Sequence, residues 1–252
     1  MADLTGRRIV VTGGASGMGA GLVRALPGRG ARVVSLDLNA VDGERIAGEV
    51  GIPFIECDVA EPDSVEDAFR RALNHLGGLD VLVHLAGLAP TGSASETEPE
   101  LWHKVMSVNA GGTYLTNRVA YGYLKNEGGR IINFASGAGM IGYPGKAAYA
   151  ASKGAVLAWT RTCAQEWGRY AITVNAVCPL IWTPMYDRTR ASMTPEQLAA
   201  HDDMMARTIP LRGRLGDVEE DLVPVVAFLA GDDSHYMTGQ TFVVDGGRLV
   251  TR

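Results

Sequence analysis

Cysteine is scarce in this chain. The 252 residues hold three, Cys57, Cys163 and Cys178, too few and too scattered for a disulfide framework or a zinc site. Buried, reduced thiols are the expectation. Charged residues make up 20% and the formal net charge is −5, with no basic tract longer than Arg7-Arg8 or Arg70-Arg71. A nucleic-acid partner normally shows as a basic face, so none is expected. No uncharged apolar run approaches membrane-spanning length, and Met1-Ala2-Asp3-Leu4 runs into Gly6-Arg7-Arg8 and a strand without room for a signal peptide. These absences predict a cytoplasmic protein with no membrane partner. What the chain does have is 46% hydrophobic residues, enough for one sizeable core. No repeat, low-complexity tract or shift in composition divides it, so residues 1–252 are expected to form a single domain.

Short β-branched runs alternate with longer helical stretches, the pattern of an α/β fold in which helices cover both faces of a doubly wound parallel sheet. Seven strands are predicted, at Arg8–Thr12, Arg32–Asp37, Pro53–Asp58, Val81–Leu85, Arg130–Ala135, Ile172–Val177 and Thr241–Asp245. Most are continuously apolar, as strands buried on both faces are. Thr97, Thr194 and Asp217 each stand three residues before a Glu or Gln and are read as helix caps. The segment Leu180–Arg214, rich in methionine, interrupts the rhythm. It reads equally as a substrate-covering lid or as a surface helix with methionines packed inward.

The first strand ends in Thr12-Gly13-Gly14-Ala15-Ser16-Gly17-Met18-Gly19 and a helical run follows. Glycines there let backbone N–H groups approach a pyrophosphate, and the helix N-terminus adds unsatisfied donors. At the end of the second strand stands Asp37, whose carboxylate can accept both adenosine ribose hydroxyls and would repel a 2′-phosphate. No basic residue lies in the loop or directly after Asp37. NAD rather than NADP is therefore the expected cofactor.

Tyr149 and Lys153 lie one turn apart on a helix. An ammonium beside a phenol favours phenolate and brings proton exchange with an alcohol or ketone into range. Ser136, just past the fifth strand, offers a hydroxyl to orient the substrate oxygen. Asn109 could relay water to the lysine.

Taken together, the Thr-Gly-x-x-x-Gly-x-Gly loop, Asp37, Asp58-Val59, Asn109, Ser136 and Tyr149/Lys153 resemble the short-chain dehydrogenase/reductase family over essentially the whole chain. The resemblance implies a single-domain Rossmann fold with seven parallel strands. It implies Tyr149 as general acid/base, Ser136 as the carbonyl-positioning hydroxyl, Lys153 as the ribose ligand that depresses the tyrosine pKa, and Asn109 as support for a proton relay. Dinucleotide contacts would fall on Gly13, Ser16, Gly17, Met18, Gly19, Asp37 and Leu38 at the adenosine end, with Asp58 and Val59 holding the adenine. Leu85, Ala86 and Gly87, then Tyr149, Lys153, Pro179 and Ile181, would follow toward the nicotinamide, with Thr183 on its carboxamide. Relatives pair the helices at Pro99–Leu124 and Ala150–Trp167 between subunits, which implies a homotetramer or at least a homodimer.

Two departures from the family pattern stand out. Asn-Asn-Ala-Gly after the fourth strand becomes His84-Leu85-Ala86-Gly87, where His84 is read as a histidine hydrogen-bonded inside the sheet rather than a base. The turn after the sixth strand, Pro179-Leu180-Ile181-Trp182-Thr183, is one residue short.

Other readings carry less. Ala150-Ala151-Ser152-Lys153-Gly154 resembles a hydrolase nucleophile elbow, but no strand directly precedes it. A silent NAD-binding sensor would be expected to have lost the tyrosine or lysine. No histidine shows metal-ligand spacing, and no metal is expected. The residues expected to face substrate, Leu88, Met140, Ile141, Tyr143, Trp182, Met185 and Tyr186, are uncharged, which predicts an apolar secondary alcohol or ketone, cyclic or steroid-like forms included. Reduction of a 3-oxoacyl thioester is the alternative.

Overall fold

Alternation within single strands shows how the sheet is buried. In β1 (Arg8–Thr12), Ile9 and Val11 enter one hydrophobic cluster and Val10 enters another, all fully buried. Helices must therefore cover both faces. The structure, a computed structural model, describes residues 2–249. Its seven parallel strands are β1, β2 (Arg32–Asp37), β3 (Phe54–Glu56), β4 (Val81–His84), β5 (Gly129–Phe134), β6 (Ile172–Pro179) and β7 (Thr241–Val244), in the order β3-β2-β1-β4-β5-β6-β7. The expected α/β, doubly wound, seven-stranded Rossmann architecture is present. The third strand is shorter than expected at both ends. It is an edge strand paired only with β2, and Asp58 turns the chain away by accepting the Ala60 N–H at 2.9 Å.

Helices α1 (Gly17–Ala25) and α2 (Ala40–Val50) cover one face, and α3 (Pro62–Leu76) lies on the other. Burial of Val65, Ala68, Phe69, Ala72 and Leu76 gives α3 the apolar stripe of an amphipathic helix. On the α3 side, α4 (Pro99–Val105) runs through a π-helical turn at Met106–Gly111 into α5 (Gly112–Leu124). Thr97 does not cap α4. Glu98 occupies the cap position, and the Thr97 hydroxyl donates to the Ser93 carbonyl at 2.6 Å. A short helix α6 (Ala138–Ile141) precedes the long α7 (Ala147–Trp167), which lies beside α5.

The segment after β6 holds α8 (Pro184–Ala191) and α9 (Pro195–Thr208). Thr194 and Gln197 form the expected reciprocal capping box on α9. Met205, Ile209 and Leu215 make a small core of their own with Leu180 and Tyr186, while Met185 stays exposed. One methionine of the segment thus packs inward and another faces out. The last helix, α10 (Val223–Ala230), returns to the α1 face after a π-helical turn capped by Asp217, which accepts the Glu219 and Glu220 N–H groups. Among the described residues no helix is long and apolar enough to cross a membrane.

Candidate active site

Strand order reverses between β1 and β4, and the crevice of a doubly wound sheet opens at the carboxyl ends of such a pair. Gly13 sits there with φ +76°, and a Cβ added to it would come 2.7 Å from the Ala86 nitrogen. Only glycine combines that backbone angle with so close an approach. Ser16 occupies the N-cap of α1 but its side chain caps nothing, and the first turn carries no acidic residue. The N–H groups around Gly17, Met18 and Gly19 are thus left for an anion, as a dinucleotide pyrophosphate requires.

Asp37 stands at the end of β2, beside the glycine loop. One carboxylate oxygen accepts the Ala15 N–H and the other the Asn39 N–H, each at 2.9 Å, so the side chain braces the glycine loop and keeps lone pairs for ribose hydroxyls. Leu38 beside it is 60% exposed. The Asp58 N–H donates to the Ser64 hydroxyl, and Val59 is buried against Gly112 of α5. The glycine cradle, the uncapped helix and the ribose-side carboxylate together fit a nicotinamide dinucleotide.

At the other end of the crevice, α7 brings Tyr149 and Lys153 under Ser136, which follows β5. The Lys153 amine is buried and donates to the Phe134 carbonyl at 2.7 Å, and it lies 5.9 Å from the centre of the Tyr149 ring. Burial pulls its pKa down to about 8. The Tyr149 phenol is pushed up by burial, against a hydrogen bond from Ser136 that favours the phenolate. Burial is the leading influence on the phenol, and the Lys153 amine is aimed at the Phe134 carbonyl.

Asn109 stands inside the π-helical turn. Its amide donates to the Leu88 carbonyl and to the Ser152 hydroxyl, each at 2.9 Å, and its oxygen accepts the Leu88 N–H at 2.7 Å. The side chain fixes the loop after Gly87, and its oxygen and the Lys153 amine flank that glycine. Ser152 is fully buried and donates to the Tyr149 carbonyl, which removes the hydrolase reading.

After Pro179 the shortened turn pairs as a parallel bridge, with the Gly216 N–H donating to the Leu180 carbonyl and the Trp182 N–H to the Gly216 carbonyl. Backbone groups of successive residues in extended chain point to opposite sides, so those of Ile181 point away from Gly216. The Ile181 side chain is buried. Thr183 caps α8 and lies across from Gly17 of the phosphate loop. Around the mouth Ile141, Tyr143, Trp182 and Met185 are exposed. Met140 is partly buried and packs against the cluster that holds Val156, Leu157 and Cys178.

Residues 13–248 match a family model described as "Enoyl-(Acyl carrier protein) reductase". An "Uncharacterized oxidoreductase" of Thermotoga maritima is 35% identical, the match covering 97% of this chain and 98% of that protein. The "2-(S)-hydroxypropyl-CoM dehydrogenase 3" of Xanthobacter autotrophicus is 36% identical over 95% of each. The "L-fucose dehydrogenase" of Bos taurus is 32% identical over 96% of this chain and 89% of that one. The chain belongs to the short-chain dehydrogenase/reductase family. It is an NAD(P)-dependent oxidoreductase acting on CH–OH donors.

Within this dehydrogenase a buried polar layer underlies the reacting end. Thr12, His84 and Asn133 are in register across β1, β4 and β5. The His84 Nδ1 lies 2.8 Å from the Thr12 hydroxyl and 3.1 Å from that of Thr116. Burial, helped by Lys153, holds its pKa at about 3, so the ring is neutral and structural, as read from the sequence. Two neighbours of the site were missed. Cys178, at the end of β6, is a buried thiol close enough to Lys153 to feel its charge. Lys146, at the N-cap of α7, stands one turn before Tyr149. The absence of any acidic residue within a turn of Lys146 is a signal the sequence already carries.

Proposed function

We propose that this dehydrogenase oxidises an apolar secondary alcohol to its ketone with NAD. The observation that carries the reading is the meeting of Tyr149 and Lys153 of α7 at the end of β5, where the Lys153 amine donates to the Phe134 carbonyl and Ser136 follows, in a crevice that also holds Asp37 against the glycine loop. The dinucleotide supplies the two-electron acceptor. Ser136 holds the carbinol oxygen, and Tyr149 in its phenolate form takes the O–H proton as the carbonyl forms. Lys153, with a pKa near neutrality, is the cation able to offset that phenolate once its amine turns from the Phe134 carbonyl. Asn109 keeps Leu88 and the loop beside Gly87 in place. Because oxidation needs phenolate and burial raises the tyrosine pKa, turnover should climb with pH until Lys153, with a pKa of about 8, loses the charge that offsets the phenolate.

Steady-state oxidation of a panel of cyclic and steroid secondary alcohols tests this, with NAD and NADP compared. Tyr149→Phe should lower kcat by about 10²–10⁴-fold, the usual worth of a positioned acid/base. A Phe variant of undiminished rate, or equal use of NADP, would sink the assignment. Faster turnover of an acetoacetyl thioester with NADPH would replace it with the thioester reductase.

We also propose a homotetramer. The α4–α5 surface leaves Trp102, Tyr114 and Tyr123 exposed, an aromatic face that a second copy of the chain could cover. Sedimentation velocity should give the mass of four chains, and a monomer at micromolar concentration would reject it.

A further inference from the structure

Lys146 is the cation that the site chemistry described so far leaves unused. Its amine donates to the Ala89 carbonyl at 2.7 Å, in the loop that follows Gly87-Leu88. The two loops are stitched together around it, since the Gly92 N–H donates to the Gly145 carbonyl and the Ala147 N–H to that of Gly92. The amine is thus held between the wall of the cleft beyond Gly87 and the first turn of the helix that carries Tyr149.

Three features make this placement costly. The side chain is partly buried, and burial is the sole cause that lowers its pKa. No carboxylate lies within ion-pair distance of it among the described residues, whereas Arg190 of α8 is matched by Asp202. It also stands at the N-terminus of a helix of 21 residues, where the backbone field disfavours a positive charge. One of its three N–H donors is spent on Ala89, and the others have no partner among the described residues. An anion from outside the chain would offset all three costs together.

We infer that Lys146 is a specificity-determining residue that binds a carboxylate on the substrate, so that the preferred alcohol is an apolar body with one acid group placed away from the carbinol. The inference rests on the reading of the Tyr149 cleft as the alcohol site, and it narrows the substrate class to hydroxy acids.

The test uses 4-hydroxycyclohexanecarboxylate and its neutral carboxamide as paired substrates with NAD. Wild-type protein should favour the acid in kcat/KM. Lys146→Gln keeps a donor for Ala89 but loses the charge, and should lower the acid-to-amide ratio by about 10- to 100-fold, the worth of one charge-assisted hydrogen bond. Lys146→Arg should restore the preference. An equal fall for both probes would mark Lys146 as structural and overturn the inference. So would a wild-type ratio near one. Calorimetry with cyclohexanecarboxylate separates the two levels of the argument. Binding that weakens in Lys146→Gln, with neither alcohol oxidised, would retain the anion site and reject the proposed oxidation. Absence of carboxylate binding by the wild type would reject the anion site while leaving oxidation of the amide to stand.

Discussion

Replacing Asp37 by alanine and Leu38 by arginine together is expected to reverse the cofactor preference, moving the NAD-to-NADP ratio of kcat/KM by a thousandfold or more. A carboxylate about 4 Å from a phosphate charge costs about 4 kcal/mol at the effective dielectric of a protein surface, roughly a thousandfold in equilibrium. Removing Asp37 abolishes that repulsion. It also frees the Ala15 N–H, now held at 2.9 Å by the carboxylate, at the edge of the phosphate loop. Leu38 is already 60% exposed, so an arginine there displaces no core and supplies the cation that a 2′-phosphate needs. The same carboxylate braces the Asn39 N–H, where α2 begins, so the single Asp37→Ala variant should lose NAD affinity without gaining NADP affinity to match. Steady-state kinetics with both cofactors decide it. A double variant that still prefers NAD, or a wild type indifferent to the 2′-phosphate, would defeat the assignment of Asp37.

How much of this was legible in the sequence depends on what each residue contacts. The strands were, because burial on both faces forces continuous apolar runs such as Ile9-Val10-Val11 and Val81-Leu82-Val83. The sharp glycine turn after β1 was legible too, since its backbone angle fixes the residue type locally. The π-helical turn at Met106–Gly111 was not, because its weak helix formers Ser107, Asn109 and Gly111 read as the end of a helix and not as a widened turn within one. The turn brings Asn109 to the Leu88 backbone, a partner supplied by tertiary structure. The contact of Met140 with the buried cluster under α7 was not legible either, because it depends on the tight α6 turn. The behaviour of Tyr149 and Lys153 also depends on burial, which a motif does not carry. The spacing set them on one face of a helix, and desolvation then moved the tyrosine and the lysine in opposite directions.

The same dependence on burial makes His84 the source of the second large effect. Asparagine, which relatives place here, cannot titrate. The histidine is held at a pKa of about 3 in the fold by burial and by Lys153, against an ordinary value of 6.5. Below 6.5 the unfolded chain therefore binds a proton that the folded chain refuses. Stability from this group is complete above 6.5 and is lost as pH falls toward 3, at about 1.4 kcal/mol per pH unit. Between pH 7 and pH 5 the loss is about 2 kcal/mol, a large share of the stability of an ordinary domain. His84→Asn should remove that slope. Its effect at pH 7 mixes two opposed changes. The buried Nε2, which has no partner among the described residues, disappears, but the smaller amide leaves a gap beneath Thr12 and Thr116. The decisive quantity is therefore the pH dependence of the unfolding free energy, measured by urea denaturation of both proteins at pH 7 and pH 5. Parallel slopes would mean that His84 takes up its proton in the folded state, and the neutral imidazole beneath the site would have to be given up.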